Sequence, residues 1–374
     1  MRTAFILLPF LFAVLAMALF VAPGKRGARF QAAWAAWLLF CASKFLCYAT
    51  LGDNAFAPEL PEKLIWTWNW AYSGMCVLLA LAAAWRLVRL AVSPFAKLPC
   101  GGRVWFALLP VLAWSIAAKG VYNGIKTPAV AEMEVYSPDL PESLDGYRIL
   151  HATDLHASAA ARKWRTQAIV DRINAAAPDL VCLTGDYSDG MSEVQKENVA
   201  PLADIKAKDG VAAVTGNHEY YYDTERWMAF YHSIGIDFLS NECAFPRPGL
   251  AVAGVDDPAC TMHGIEPPSA AAAFSAATNG EFRVLLQHRP HTGEPSHDAR
   301  CDLQLSGHTH GGVMPLFDRL VARFNGGMSK GVYSFPERPF VYVSPGAGQW
   351  AGFPVRFFDD PELTLFVLRK GAPE

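Results

Sequence analysis

No histidine occurs before residue 151, and the first 126 residues hold only three acidic side chains, Asp53, Glu59 and Glu62. Twelve Lys and Arg stand against those three acids, a balance of +9, whereas the remaining 248 residues carry 20 basic and 32 acidic side chains, a balance of −12. The overall net charge of −3 hides two unlike parts. The second part lacks the basic excess that binding a phosphate backbone requires, which argues against nucleic acid as a partner. Its acidic balance suits divalent cations instead. It is also poor in tryptophan, since eight of eleven lie before residue 115. The eight cysteines include no CxxC pair and no regular spacing. Cys41, Cys47 and Cys76 sit in apolar runs and Cys182 in a strand-like run, so they read as small buried hydrophobes. Cys243 and Cys260 could pair only if their domain lies in an oxidising compartment. There is no internal repeat and no low-complexity tract.

What is present in the first part is apolar length. Of 374 residues, 52% are hydrophobic, and four runs, 4–22, 32–51, 65–87 and 104–122, are long enough to cross a bilayer, which takes about 20 residues each. The first could instead be a signal peptide. Lys25, Arg26 and Arg29 follow the first run, and Arg86, Arg89, Lys97 and Arg103 separate the third and fourth. The intervening loop reads Asp53, Glu59, Glu62 and Lys63. The positive-inside bias then puts the first and third loops in the cytoplasm and everything after the fourth run outside it, in the periplasm of an inner-membrane, multi-pass protein. Trp66, Trp68 and Trp70 mark an interfacial belt. Lys44 lies deepest inside a run, Arg86 and Lys119 standing within three residues of run ends, and its position about two turns from the outer end predicts a side chain that snorkels to the interface. With no other charged residue deep in the runs, an ion or proton pathway has no support. The chain thus divides into a transmembrane module, 1–126, a polar, proline-containing connector, 127–145, and a soluble domain, 146–374.

The soluble domain begins with a strand–helix rhythm: strands at 147–153, 179–184 and 211–215, helices at 163–176, around 193–206 and at 224–233. Ile169, Val170 and Ile173 fall on one helical face. Further strands are expected at 250–255, 282–287, 302–306, 340–344 and 362–368, without regular helices between them, and a short alanine-rich helix at 269–278. This predicts a layered α/β domain with mixed sheets.

Five polar clusters follow these strands. They are Asp154-Leu155-His156, Gly185-Asp186-Tyr187-Ser188-Asp189, Gly216-Asn217-His218-Glu219, His288 and Gly307-His308-Thr309-His310. Asp, Asn, His and Gly are ordinary turn residues, and one such cluster would be read as a turn. Five of them at successive strand ends, where α/β folds gather their chemistry, read as a metal site with mixed oxygen and imidazole ligands. Such a donor set suits Mn, Fe or Zn without choosing among them.

In order and spacing these clusters resemble the calcineurin-like metallophosphoesterase family, whose motifs run D-x-H, G-D-x-x-D, G-N-H-E/D, H and G-H-x-H. The resemblance covers about residues 146–370. The runs at 144–148 and 342–344, the Gly307–Gly312 run reading GHTHGG, and the closing runs at 354–357 and 361–362 are similar to a membrane-associated bacterial subgroup. Val313 stands where relatives usually have Gln, and Pro345-Gly346-Ala347-Gly348 where they often have Arg-Gly-Leu-Gly; both departures leave the substrate open. The resemblance implies a four-layer domain with two mixed β-sheets flanked by helices. It implies that Asp154, His156 and His310 bind one divalent ion, that Asn217, His288 and His308 bind a second, and that Asp186 bridges them. Two such ions about 3.5–4 Å apart hold both ends of an in-line phosphoryl displacement. His218 and Asp186 are the residues expected at the chemistry, His218 protonating the leaving oxygen or hydrogen-bonding the phosphate. Asp189 and Glu219 are expected to orient them.

His151, His232, His263, His291 and His297 lack a motif and read as structural or exposed. Arg289 is open between a phosphate contact and a salt bridge; Trp350, Phe353 and Phe357 between core packing and a lipid entry. The implied activity is hydrolysis of a phosphate ester by a membrane-anchored enzyme, its substrate amphiphilic or lipid-linked and a phosphodiester or pyrophosphate. The alternatives are a UDP-diacylglucosamine pyrophosphatase-like enzyme of lipid A synthesis and a non-catalytic membrane sensor that retains the metal site.

Overall fold

The computed structural model describes residues 2–24, 26–95, 98, 103–290, 301–314, 317–334, 340–357 and 359–372. Lys25, Lys97, His291 and His297 lie outside them. The chain forms two compact units. One is Met1–Ile125 with Ala351–Phe357; the other is Lys126–Trp350 with Phe358–Glu374.

The first unit is helical: α1 (Arg2–Ala16), α2 (Ala28–Ala42), α3 (Lys44–Leu51), α4 (Glu62–Val92) and α5 (Arg103–Ile125). Three helical stretches, Thr3–Gly24, Glu62–Val92 and Val104–Ile125, are long and apolar enough to cross a membrane. The second apolar run is not one straight helix. It bends by 50° between α2 and α3, and the pair counts as a fourth span only if taken together. Without a hydrophobic drive between helices in lipid, close contact depends on small residues. Ala13, Ala16, Ala42, Ala71, Ala82, Ala113 and Ala117 are accordingly buried, and a Cβ on Gly74 would fall 2.4 Å from Trp114 Nε1.

Ala351–Phe357 joins this helical unit. Its run Ala-Gly-Phe-Pro-Val-Arg-Phe is far too short to read as a membrane segment. Phe353 packs in the helical core, Arg356 N–H donates to Gly120 O at 2.9 Å, and Gly124 makes room for Pro354 O, 2.5 Å from where a Cβ would stand. Phe353 and Phe357 are packed side chains. Lys44 does not snorkel. It is fully buried; its Nζ donates to Gly352 O at 2.7 Å and lies 4.4, 5.0 and 4.6 Å from the ring centres of Phe45, Tyr72 and Phe353. The bend after Ser43 starts α3 at Lys44, and the ammonium finds a carbonyl and aromatic faces without reaching water.

The second unit carries two mixed sheets. The first has the order β1-β11-β2-β3-β4, formed by β1 (Ala129–Ser137), β2 (Arg148–Ala152), β3 (Leu180–Thr184), β4 (Val211–Val214) and β11 (Glu362–Lys370). The second has the order β5-β6-β7-β8-β10-β9, formed by β5 (Glu242–Arg247), β6 (Leu250–Gly254), β7 (Phe282–Leu286), β8 (Leu303–Ser306), β9 (Gly331–Tyr333) and β10 (Phe340–Val343). β2, β3 and β4 are parallel, as are β6, β7, β8 and β10, whereas β11 runs antiparallel to β2 and β5 and β9 close the second sheet antiparallel.

Ile149, Cys182 and Val214 of the first sheet meet Val252, Val284, Leu286 and Leu305 of the second in one core. The outer face of the first sheet, Leu150, Val181, Leu183 and Ala213, is covered by Ile169, Val170 and Ile173 of α6 (Lys163–Ala175) and by Trp227 and Tyr231 of α8 (Thr224–Ser233); α7 (Ser192–Val199) lies between them in sequence. The outer face of the second sheet packs Ala251, Ala253 and Leu285 on Ala270 and Ala273 of α9 (Ala270–Ala273). The result is the four-layer arrangement of helices, sheet, sheet and helices. One more helix, α10 (Phe317–Phe324), follows β8.

The strands read from apolar runs are all present, with ends shifted by a residue or two. β1, β5 and β9 were not legible. β1 falls in the segment read as a connector because it lies at a sheet edge: of its nine side chains only Val135 is buried. Its pairing is nonetheless long, running parallel to β11 from Ala129 opposite Glu362 to Ser137 opposite Lys370. Cys243 and Cys260 are free thiols.

Candidate metal centre

The loops after β2, β3, β4, β7 and β8 carry the five clusters, so parallel strand order brings residues far apart in sequence to one edge of the sandwich. The turns are tight. Asp154, His156, Asp186, His308 and His310 have φ of 55°, 49°, 56°, 68° and 48°, the left-handed region that polar residues tolerate better than most but still adopt at a cost. Val313, at φ 64°, is a β-branched residue in that region. Backbone hydrogen bonds tie the loops together: Asp154 N–H donates to Gly185 O at 2.9 Å and His156 N–H to Asp186 O at 3.0 Å. Two glycines are required by close approach. A Cβ on Gly216 would fall 2.3 Å from Asp186 Oδ1, and one on Gly307 2.2 Å from Asp154 Oδ2.

Two groups of donors converge. Asp154, His156 and His310 form one, and Asp186, His288 and His308 the other, each with its donor atoms within 4.8 Å of one another. In the first, His156 Nε2 and His310 Nε2 face each other at 3.2 Å, and Asp154 Oδ1 is 3.8 Å from the former and 3.4 Å from the latter. In the second, Asp186 Oδ2 is 3.3 Å from His288 Nε2. Asp186 Oδ2 also lies 3.7 Å from His156 Nε2, so this carboxylate stands between the groups.

The residues fit cations. His288 Nε2 and Asn217 Oδ1 are buried acceptors without a hydrogen-bond partner among the described residues, a rare condition for polar atoms in a core. The ring of His288 is oriented for this. Its Nδ1 donates to Thr184 O at 2.6 Å, which turns a lone pair on Nε2 inward.

The surrounding polar groups fix the donors. Asp189 Oδ1 accepts from His156 Nδ1 at 2.8 Å and from His218 Nδ1 at 2.6 Å. Glu219 accepts from the N–H groups of Asp186, Tyr187 and Gly216 at 2.9, 2.9 and 2.8 Å, clamping two loops to each other. Burial, followed by the charge of Asp186, lifts its carboxyl to about 7. Burial works against a charged His218 ring, but Asp186 and Asp189 outweigh it and lift that imidazole to about 9. His218 Nε2 stands 3.9 Å from Asp186 Oδ2, at the open side of the site.

The histidines without a motif are elsewhere occupied: His151 Nε2 with Thr184 Oγ1 at 2.7 Å, His263 Nε2 with Tyr220 O at 3.0 Å, and exposed His232 Nδ1 with Asp237 Oδ1 at 2.5 Å. Arg289 forms a two-pronged pair with Asp257, Nε to Oδ2 at 2.7 Å and Nη2 to Oδ1 at 3.1 Å. Asp257 escaped the sequence reading; the only signal was a pair of acids, Asp256-Asp257, after β6.

Residues 147–312 match the family model for the calcineurin-like phosphoesterase. The chain carries a calcineurin-like metallophosphoesterase domain. A zebrafish (Danio rerio) protein named "Transmembrane protein with metallophosphoesterase domain" is 33% identical over 270 residues, 68% of this chain and 60% of that protein. A Helicobacter pylori protein named as an uncharacterized metallophosphoesterase is 32% identical over 253 residues, 67% of this chain and 66% of that one. The chain thus spans less than two thirds of the length of these relatives. A solved 5′-nucleotidase precursor from Thermus thermophilus aligns at 15% identity over 60% of this chain and 54% of its own, with a TM-score of 0.31, too weak a likeness to bear on the fold or the activity.

Proposed function

We propose that this protein is a membrane-anchored phosphoesterase that hydrolyses a phosphodiester or pyrophosphate of an amphiphilic, lipid-linked substrate. The observation that carries the reading is the convergence of six donors, Asp154, His156, His310, Asp186, His288 and His308, at one sheet edge, with Asn217 Oδ1 buried and unpartnered on a neighbouring loop. Asp154, His156 and His310 would hold one divalent ion, Asn217, His288 and His308 a second, and the Asp186 carboxylate would serve both. Bound there, the ions would supply Lewis-acid stabilisation of the phosphoryl charge and activation of water. The chain's own residues do the rest. Asp189 fixes the rings of His156 and His218 through one carboxylate oxygen, and Glu219 fixes the Asp186 loop. His218, its Nδ1 donating to Asp189 Oδ1 at 2.6 Å, presents Nε2 to donate a proton to the leaving oxygen.

The charge bias of the loops supports a multi-pass protein with its phosphoesterase domain in the periplasm. That orientation is also what separates this reading from the lipid A alternative, whose substrate is cytoplasmic. The full-length protein, purified in detergent with Mn, Fe or Zn, should hydrolyse a phospholipid phosphodiester, and a chelator should abolish the activity. Turnover that survives complete removal of divalent metal, or that is confined to phosphomonoesters, would overturn the proposal.

A further inference from the structure

The helix that follows the His308/His310 loop shows its apolar face to the outside. In α10, Phe317, Leu320, Val321 and Phe324 recur at i, i+3, i+4 and i+7, forming one stripe. A stripe of this kind ordinarily faces a core, yet Phe317, Leu320 and Phe324 are 49%, 45% and 77% exposed, and none of the eight residues is buried. The side carrying Asp318 is the one turned to the domain: a Cβ on Gly312 would fall 2.3 Å from Asp318 Cα. Arg323 is exposed beside the stripe and Arg319 is exposed on the opposite side of the helix.

The same chain supplies a surface for such a face. Three of its helical stretches are long and apolar enough to cross a membrane, and only residues 126–128 separate the end of α5 from β1, about 10 Å of extended chain. A second tether is nearer the helix. Lys330, six residues beyond α10, pairs with Asp359, whose carboxylate also touches the position where a Cβ on Gly311 would be, at 3.2 Å. Asp359 lies two residues beyond Phe357, the last residue of the segment that joins the helical unit. Through Asp359 the metal loop and Lys330 are tied to a residue that lies two positions in sequence from that segment. A short helix with an apolar aromatic stripe on one side and arginines away from it is the composition that lies in a bilayer interface, its rings about 5–10 Å into the headgroup and acyl boundary and its charged side turned to the headgroups and water.

We propose that α10 inserts its Phe317–Leu320–Phe324 stripe into a leaflet bearing anionic phospholipid, and that it holds the mouth of the metal centre at the plane from which a lipid phosphate enters. The second half of this statement rests on the phosphoesterase reading; the first does not. The test uses the full-length protein in nanodiscs containing anionic phospholipid, with a nitroxide attached at Phe324→Cys or Arg319→Cys and the wild-type chain, with its own cysteines, as the labelling background. Oxygen, which partitions into lipid, should relax the nitroxide at position 324 more than a water-soluble nickel chelate does, and the order should reverse at position 319. A water-exposed nitroxide at position 324, or one shielded from both reagents by protein or a second copy, would overturn the insertion. In parallel, Phe317→Ser with Phe324→Ser should lower hydrolysis of a vesicle-borne phosphodiester by about tenfold or more and leave turnover of bis-p-nitrophenyl phosphate unchanged. Equal losses on both would sink the claim of substrate delivery. A wild-type protein inert toward both esters would contradict the phosphoesterase reading, while the nitroxide depth would still decide the placement of α10.

Discussion

At the residue scale the centre depends on one carboxylate serving two rings. Asp189 Oδ1 lies 2.8 Å from His156 Nδ1 and 2.6 Å from His218 Nδ1, so the donor expected to hold metal and the one expected to hold substrate are oriented together. Two predictions separate their roles. His218→Ala should leave metal content nearly intact and lower turnover by about 10²–10⁴-fold on a substrate with an alkyl leaving group. The loss should shrink for p-nitrophenyl esters, whose leaving group needs little protonation; equal losses would point to phosphate binding instead. The second concerns pH. Asp186 and Asp189 raise His218 to about 9 against burial, so its acid form is present below that pH and is lost as pH rises through it. Removing one of the two charges in Asp189→Asn should move the alkaline fall of kcat to lower pH. A pH profile with an unchanged alkaline limb would remove His218 from the role of acid. These residues were legible because short, polar, turn-forming clusters stood after apolar runs in family order. Asp257 was not, since its partner Arg289 comes from a different strand end and nothing in either local sequence marks the pairing.

At the scale of elements, what the sequence concealed was what pattern cannot report. The strands of the two central cores announce themselves as apolar runs because both faces are buried. β1 is an edge strand with one buried side chain and reads as a polar connector, although its full-length pairing with β11 makes it part of the first sheet. Lys44 and Ala351–Phe357 conceal each other in the same way, because the carbonyl and rings that satisfy the ammonium include Gly352 and Phe353, some 300 residues downstream. The seating of that segment depends on small residues in α5. Gly124→Val would place side-chain atoms where Pro354 O stands 2.5 Å from a Cβ. Overpacking of this sort costs about 1–3 kcal/mol, and thermal unfolding of the full-length protein in detergent should show a lower Tm. An unchanged Tm would mean that the segment is not held against α5.

At the scale of the molecule, an apolar helical unit and an acidic metallophosphoesterase domain share one chain, and the charge asymmetry that divides them also predicts their orientation. A reporter that is active only in the periplasm, fused after Glu374, should be active; cytoplasmic activity would reverse the topology and favour the lipid A reading. The central claim is that seven side chains from five strand ends form one dinuclear site around Asp186. Metal analysis of the full-length protein and of Asp186→Asn tests it most directly. The account predicts close to two divalent ions per wild-type chain and loss of most of both in the variant, because the bridging carboxylate serves the pair. A single ion in the wild type, or a variant that gives up only one ion or none, would contradict it.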